Sequence, residues 1–90
     1  MASTTLKSDF DKAVEMIRTS SVPISIVIKL RLYALYKQAT KGDAPLSGPW
    51  AFRIFEYAKW IAWSALSGKT NEAAMSEYIA EVKTFLAVPE

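Results

Sequence analysis

Breakers of regular structure divide this 90-residue sequence into four segments of helical length. Pro23 ends the first segment, the Gly- and Pro-rich stretch GDAPLSGPWA at 42–51 ends the second, and Gly68 ends the third. Within the segments, apolar residues recur at spacings of three and four, which is the repeat of an amphipathic helix. Because no strand-pairing signal accompanies them, we expect an all-α four-helix bundle.

Capping residues indicate where the first two helices begin and end. The first helix is expected at about residues 9–20, with Ser8 as its N-cap. The second is expected to begin near Ser25, a possible N-cap, and to end near Lys41, where a basic residue precedes glycine. The stretch VPISIVI at 22–28 favours a strand by propensity alone, but the helical periodicity that follows is too long for one strand.

Two further helices are predicted in the second half of the chain. The third is expected at about residues 52–67 and ends before Gly68. Thr70 or Asn71 caps the fourth, which ends before Pro89. The fourth helix carries one apolar stripe, formed by Ala74, Tyr78, Ile79, Val82 and Phe85.

The sequence contains no cysteine and no histidine. This composition excludes disulfides, thiol nucleophiles and the usual zinc sites, and it removes the usual general base near neutral pH. We therefore expect a protein that is not an enzyme and that uses no metal or cofactor. The net charge is +2, from 11 basic and 9 acidic side chains without a basic cluster, so no nucleic-acid partner is expected.

The expected location is cytoplasmic. The N-terminal sequence MASTTLKSDF lacks the apolar core of a signal peptide. The most apolar run, residues 24–36, is interrupted by Lys29 and Arg31 and is too short and too charged to span a bilayer.

Two phenols and an ammonium group lie close together in the second predicted helix. Tyr33, Tyr36 and Lys37 project from one face, because residues three and four apart are neighbours on a helix. One interpretation is structural, with the tyrosines at the edge of the core and the lysine reaching water. The other is a site for a planar, negatively charged ligand, in which the rings stack and the ammonium group binds a phosphate.

The third predicted helix contains the stretch AKWIAWSAL at 58–66. Trp60 and Trp63 are three apart, a spacing that is more typical of core residues than of a ligand site. Lys59 lies just outside their stripe, and the spacing alone leaves open whether it is a solvated surface residue or a ligand contact.

Three stretches of this chain resemble the acyl-CoA-binding protein family. They are LYALYKQATKGD at 32–43, AKWIAWSAL at 58–66 and AAMSEYIAEV at 73–82. Their order and separations are similar to those of the family, and the resemblance covers nearly the whole chain, which we treat as one domain, 1–90. It implies a four-helix bundle with up-down-down-up topology and a bowl-shaped site for fatty acyl-CoA thioesters.

The resemblance also implies roles for individual residues. Tyr33 and Lys37 would contact the phosphorylated ribose of coenzyme A, with Lys37 as the main partner of the 3′-phosphate. Tyr36 would lie against the adenine. Lys59 would bind phosphate groups from the third helix, and Tyr78 would close the site from the fourth.

The first connection carries the remaining features of the resemblance. Arg18 occupies a position where the family commonly has a basic residue near the nucleotide. Lys29 stands where an apolar residue that contacts the acyl chain is common. Ile24, Ile26 and Ile28 could pack within the domain, extend the acyl groove, meet a membrane surface or form a self-association patch.

Two functions follow as hypotheses. The first is an intracellular carrier that binds medium- to long-chain acyl-CoA esters, buffers their concentration and delivers them without making bonds. It would be a monomer that meets acyl-CoA-using enzymes or membranes only transiently. The alternative is a helical protein-interaction module on the same scaffold, which would use the apolar 22–28 stretch as its contact surface.

Overall fold

A computed structural model describes residues 2–50 and 52–87 of the chain. These residues form four α-helices: α1 (Ala2–Thr19), α2 (Ile26–Lys41), α3 (Ile54–Ser64) and α4 (Asn71–Leu86). The described part contains no strand, and the all-α prediction is confirmed. Over the same residues, no helix combines the length and the apolar character that crossing a membrane requires.

Local capping sets the ends of α2 and the start of α4. The Ser25 hydroxyl accepts a hydrogen bond from the Ile28 N–H at 3.3 Å. Gly42 adopts a positive φ of 82° just beyond the helix, and its N–H donates to the Gln38 carbonyl. The predicted bounds of α2 are therefore confirmed. Of the two candidates for the cap of α4, Thr70 rather than Asn71 has that role, because its hydroxyl accepts a hydrogen bond from the Ala73 N–H at 3.0 Å.

The predicted start of α1 was wrong. The helix begins at Ala2, and Ser8 lies inside it instead of capping it. No proline or glycine precedes Ser8, so the helix can continue toward the N-terminus at little cost. A salt bridge of 3.0 Å between Lys7 and Asp11, four residues apart, spans the predicted boundary and supports that extension.

The third helix is shorter than the predicted 52–67. After Ser64 the chain tightens into turns, in which the Leu66 N–H donates to the Trp63 carbonyl at 3.0 Å. Bonds over three residues commonly close the end of a helix in this way. At the other end of the chain, the Pro89 expected to stop α4 lies outside the described residues.

Contacts between side chains establish the directions of the last three helices. The Lys59 ammonium group lies 5.4 Å from the Tyr33 ring centroid, and the Lys37 ammonium group lies 5.1 Å from the Trp63 ring. The later residue of α2, Lys37, meets the later residue of α3, Trp63, so the two helices run parallel. The α4 helix runs antiparallel to α2, since the Asn71 amide donates to the Ala39 carbonyl near one end and Arg31 pairs with Glu81 toward the other.

The first helix runs antiparallel to α2. The Phe10 ring stacks on Tyr36, toward the C-terminal end of α2, with centroids 6.0 Å apart. Ile17, two turns later in α1, shares a cavity with Ile24 and Lys29 at the N-terminal end of α2. The resulting topology is up-down-down-up, which confirms the prediction.

The buried core lies where α1, α2 and α4 meet. It contains Phe10, Ala13, Leu32, Leu35, Ala39, Ala74, Tyr78 and Val82. Among the helices described, α3 packs only against α2 and contributes no fully buried side chain. The third helix is therefore a peripheral element, which keeps its lysine and aromatic residues close to solvent.

Candidate ligand-binding site

Two ammonium groups converge on one tyrosine ring between α2 and α3. The Lys37 Nζ atom lies 6.0 Å from the Tyr33 ring centroid, and the Lys59 Nζ atom lies 5.4 Å from it. The indole of Trp63 supports Lys37 from the other side. Cation–π attraction favours these positions, and no described carboxylate forms a salt bridge with either lysine. The pair therefore presents two positive charges to an anionic ligand.

Tyr33, the ring that both lysines approach, also lines a cavity of about 290 Å³. Its lining comes from three helices and the first connection: Ile17, Ile24, Lys29, Leu32, Tyr33, Tyr36 and Tyr78. The lining combines aliphatic side chains, which we call the aliphatic part, with three phenol rings, which we call the polar part, and one lysine. The cavity therefore suits a ligand that has both apolar and polar groups.

The two tyrosines at the polar part of the cavity differ in their surroundings. Tyr78 is only 3% exposed, and burial, together with the nearby Tyr36, raises its pKa to about 12. Its hydroxyl therefore stays protonated at neutral pH and can donate a hydrogen bond. Tyr36 is 41% exposed and offers an accessible ring face, while Phe10 packs against both rings from inside the core.

Arg18, the sixth predicted site residue, pairs with a carboxylate of its own helix. Its guanidinium group forms an ion pair with Glu15, one turn earlier in α1, and both side chains are mostly exposed. This hydrogen-bonded pair raises the pKa of Arg18 and lowers the pKa of Glu15. Arg18 directly follows Ile17, which lines the cavity, but the Arg18 side chain pairs with Glu15.

The two tryptophans of α3 hold the connection between α2 and α3. The Trp63 Nε1 atom donates to the Gly42 carbonyl, and the Trp60 Nε1 atom donates to the Pro45 carbonyl, each at 2.8 Å. Both rings are half-buried. Trp60 therefore has the structural role that the spacing favoured, and Trp63 combines that role with support of Lys37.

A polar network around the buried Gln38 holds the C-terminal end of α2, and no pattern in the sequence indicates it. The Gln38 amide is fully buried and donates to the Asp43 carboxylate at 2.8 Å and to the Lys69 carbonyl at 2.9 Å. The same Asp43 oxygen accepts from the Gly68 N–H at 2.9 Å, and these two hydrogen bonds lower the pKa of Asp43. The network ties α2 to the start of α4, which positions the helix that carries Tyr33 and Lys37.

Two lining residues, Ile17 and Leu32, were also missed. Both fall on apolar stripes, and such a stripe has the same pattern whether its residues face a core or a cavity. Lys29 and Ile24, which the sequence analysis noted in the first connection, do line the cavity.

The fold is a helical bundle, and its two clustered lysines and mixed cavity form a candidate site for an amphipathic anion. Within the described residues, no group of acidic, cysteine or histidine side chains could hold a metal ion. Residues 7–82 match the sequence model of the family described as "Acyl CoA binding protein". This match covers most of the chain, and the chain belongs to the acyl-CoA-binding protein family.

Individual relatives agree with this assignment. The chain is 46% identical over 81 residues to the acyl-CoA-binding protein of Ricinus communis, which covers 90% of each chain. It is 47% identical over 78 residues to acyl-CoA-binding domain-containing protein 3 of Oryza sativa subsp. japonica, covering 87% of this chain and 50% of that longer protein. The crystal structure of acyl-CoA-binding protein 2 of Oryza sativa superimposes with a TM-score of 0.90 at 41% identity, covering 96% of this chain and 94% of that one.

Proposed function

We propose that this chain binds fatty acyl-CoA esters and acts as a cytoplasmic carrier and buffer for them. The observation that carries the proposal is the convergence of Lys37 and Lys59 on the Tyr33 ring, beside a cavity with an aliphatic part. An acyl-CoA ester has the same division, with several phosphate charges at one end and a hydrocarbon chain at the other. The names of the relatives support the same ligand.

The coenzyme A end of the ligand would lie at the lysines. A phosphomonoester carries about −1.5 to −2 charges near neutral pH, so it requires more than one nearby cation. In the proposed arrangement, Lys37 binds the 3′-phosphate, Tyr33 contacts the ribose and Lys59 binds phosphate groups. The accessible ring of Tyr36 would stack on the adenine, and the protonated hydroxyl of Tyr78 would donate to the ligand.

Arg18 would add a third cation from α1. Because its guanidinium group already pairs with Glu15, it would have to exchange that partner or share it with the ligand. An exposed pair of this kind contributes little stability, so the exchange is energetically accessible.

The acyl chain would occupy the aliphatic part of the cavity. Each CH₂ group removed from water contributes about 0.8 kcal/mol, so an apolar groove selects medium to long chains over short ones. Ile17, Ile24 and Leu32 provide that apolar lining. Lys29 also lines the cavity, and its aliphatic stem can pack along a chain while its charge remains in water.

The proposed mechanism is reversible binding without a chemical step. The chain has neither histidine nor cysteine, and the site brings together cations and phenols without a nucleophile and base in a catalytic arrangement. As a monomeric carrier, it would lower the free concentration of acyl-CoA and release the ester to enzymes that use it, meeting those partners transiently.

Titration calorimetry with palmitoyl-CoA tests the proposal directly. We expect wild-type protein to bind with measurable heat and with a change in tryptophan fluorescence. The Lys37→Ala variant should bind about tenfold or more weakly, since a hydrogen bond to a charged group contributes about 1.5–3 kcal/mol. For the palmitoyl ester of 3′-dephospho-CoA, the same variant should lose much less affinity.

Lys41→Ala is the matched control. Lys41 lies one turn beyond Lys37 on the same helix and is exposed, so its removal changes the net charge equally without touching the site. Its affinity should stay close to wild type. Absence of binding by the wild-type chain would refute the carrier function, whereas equal losses for the two esters in Lys37→Ala would refute only the phosphate role of Lys37.

A further inference from the structure

One end of the bundle exposes an unusual amount of apolar surface. Because α2 and α3 run parallel, their first turns lie at the same end of the molecule. Six large apolar side chains from these turns and the adjoining connection are each between 55% and 78% exposed: Ile26, Val27, Trp50, Phe52, Ile54 and Phe55. We refer to these six residues as the apolar end.

The position of α3 explains this exposure. The helix packs against α2 alone among the described helices, so its first turn has no second layer to cover it. Trp50 and Phe52 stack on each other with centroids 6.4 Å apart instead of packing on the core. Exposed large apolar side chains gathered at one end of a protein commonly mark an interaction surface.

Among the described residues, the charges around the apolar end are mainly positive. Two carboxylates toward this end, Glu15 and Glu81, are held in salt bridges by Arg18 and Arg31. Glu56 is the remaining carboxylate among the described residues there. Three further cations lie toward the same end, and no described carboxylate forms a salt bridge with them: Lys29, Arg53 and Lys83.

We propose that the apolar end docks onto the surface of a bilayer that contains anionic phospholipid. Trp50, Phe52 and Phe55 enter the interfacial region, where aromatic side chains are favoured, and the cations meet the lipid headgroups. A second copy of this chain fits less well, because a symmetric contact would bring the cations of Arg53 and Lys29 from both copies to one interface. The proposal goes beyond acyl-CoA binding and does not depend on it.

The cavity supports a lipid surface as the occupant. Ile24 and Lys29 line the cavity, and they flank Ile26 and Val27 of the apolar end in sequence. Docking through this end therefore turns the aliphatic part of the cavity toward the hydrocarbon of the membrane. An acyl chain could then move between the bilayer and the cavity with little exposure to water.

Co-sedimentation of the full chain with large unilamellar vesicles tests the docking. We expect binding to vesicles of phosphatidylcholine with phosphatidylserine and much weaker binding to phosphatidylcholine alone. The double variant Phe52→Ser, Phe55→Ser should lower the partition coefficient at least about tenfold, because it removes two aromatic rings from the interface. Both rings are mostly exposed, so the circular dichroism spectrum and the Tm should remain close to wild type.

A charge-matched pair isolates the electrostatic contribution. Arg53→Gln should weaken binding to the anionic vesicles about fivefold, as expected for one cation near a charged membrane surface. Lys41→Gln removes the same charge at the opposite end of α2 and should leave vesicle binding unchanged.

Quenching by brominated phosphatidylcholine, mixed with phosphatidylserine, reports which end of the bundle enters the bilayer. We expect quenching of the wild-type tryptophan fluorescence and loss of most of that quenching in Trp50→Phe, because the other two tryptophans are half-buried. Three results would overturn the proposal: no binding to anionic vesicles, equal binding by the Phe52→Ser, Phe55→Ser variant, or a stable dimer that this variant disrupts while vesicles bind neither form.

Discussion

Gly48 provides a sharp test of how the second connection packs on α3. A Cβ atom built at Gly48 would lie 2.2 Å from Cδ2 of the Trp60 ring and 2.5 Å from Cε3. Ordinary contacts begin at 3.4 Å, so the ring would have to move by more than 1 Å. The restriction is purely steric, because Gly48 does not have a positive φ.

The cost of Gly48→Ala follows from the contacts of Trp60. Forcing a side chain out of a packed position costs about 1–3 kcal/mol. Moving the indole also breaks its hydrogen bond to the Pro45 carbonyl, which contributes about 1 kcal/mol. The smaller conformational freedom of alanine in the unfolded chain offsets about 0.4–1 kcal/mol. We therefore expect a loss of about 2 kcal/mol, which lowers the Tm of a domain of this size by about 8–16 °C.

Thermal unfolding monitored by circular dichroism measures this loss. Ser47→Ala is the control, because it changes an exposed neighbour in the same connection. In a Trp60→Phe background, the smaller ring leaves room for the methyl group, so Gly48→Ala should cost less than half as much. A Tm for Gly48→Ala that matches the Ser47→Ala control, or an equal cost in both backgrounds, would show that the close approach does not limit the position.

Two further predictions concern pH. The pKa of Asp43 is lowered, so its hydrogen bonds stabilise the fold at neutral pH. This stabilisation is lost as pH falls below about 4. Thermal unfolding should therefore show a smaller decrease in Tm at low pH for Asp43→Asn than for wild type. The pKa of Tyr78 is raised to about 12, so the fold loses up to about 3 kcal/mol as pH rises from about 10 through that value. Urea unfolding across the alkaline range should show a shallower loss for Tyr78→Phe, and parallel curves for the two proteins would contradict this reasoning.

The ends of the helices could be predicted from sequence in some cases and not in others. Ser25, Gly42 and Thr70 were each identified as helix-end signals from sequence, because a cap involves groups within a few residues of one another. Ser8 looked equally suitable as a cap but lies inside α1. A serine can cap a helix or continue one at a small difference in free energy, so packing and neighbouring side chains decide between the two.

Some residues of the candidate site could likewise be grouped from sequence, and others could not. Tyr33, Tyr36 and Lys37 could be grouped from helical spacing, because they belong to one helix. Lys59 and Tyr78 entered the site through resemblance alone, since residues 20 or more positions away come close only through tertiary packing. The ion pair between Arg18 and Glu15 could be anticipated from their spacing of three residues, whereas the resemblance implied only a ligand contact for Arg18.

The sequence by itself determined four amphipathic helices, the caps of α2, the cap of α4 to within one residue, and the face that carries Tyr33 and Lys37. Each of these depends on neighbours along the chain. Tertiary structure decided that α2 and α3 run parallel, which brings Lys59 to the Tyr33 ring and gathers the exposed aromatic residues at one end. The physical reason is that an apolar stripe specifies burial but not its partner. Which helices meet, and in which direction, depends on the packing of the whole core and on connections whose length alone permits several arrangements.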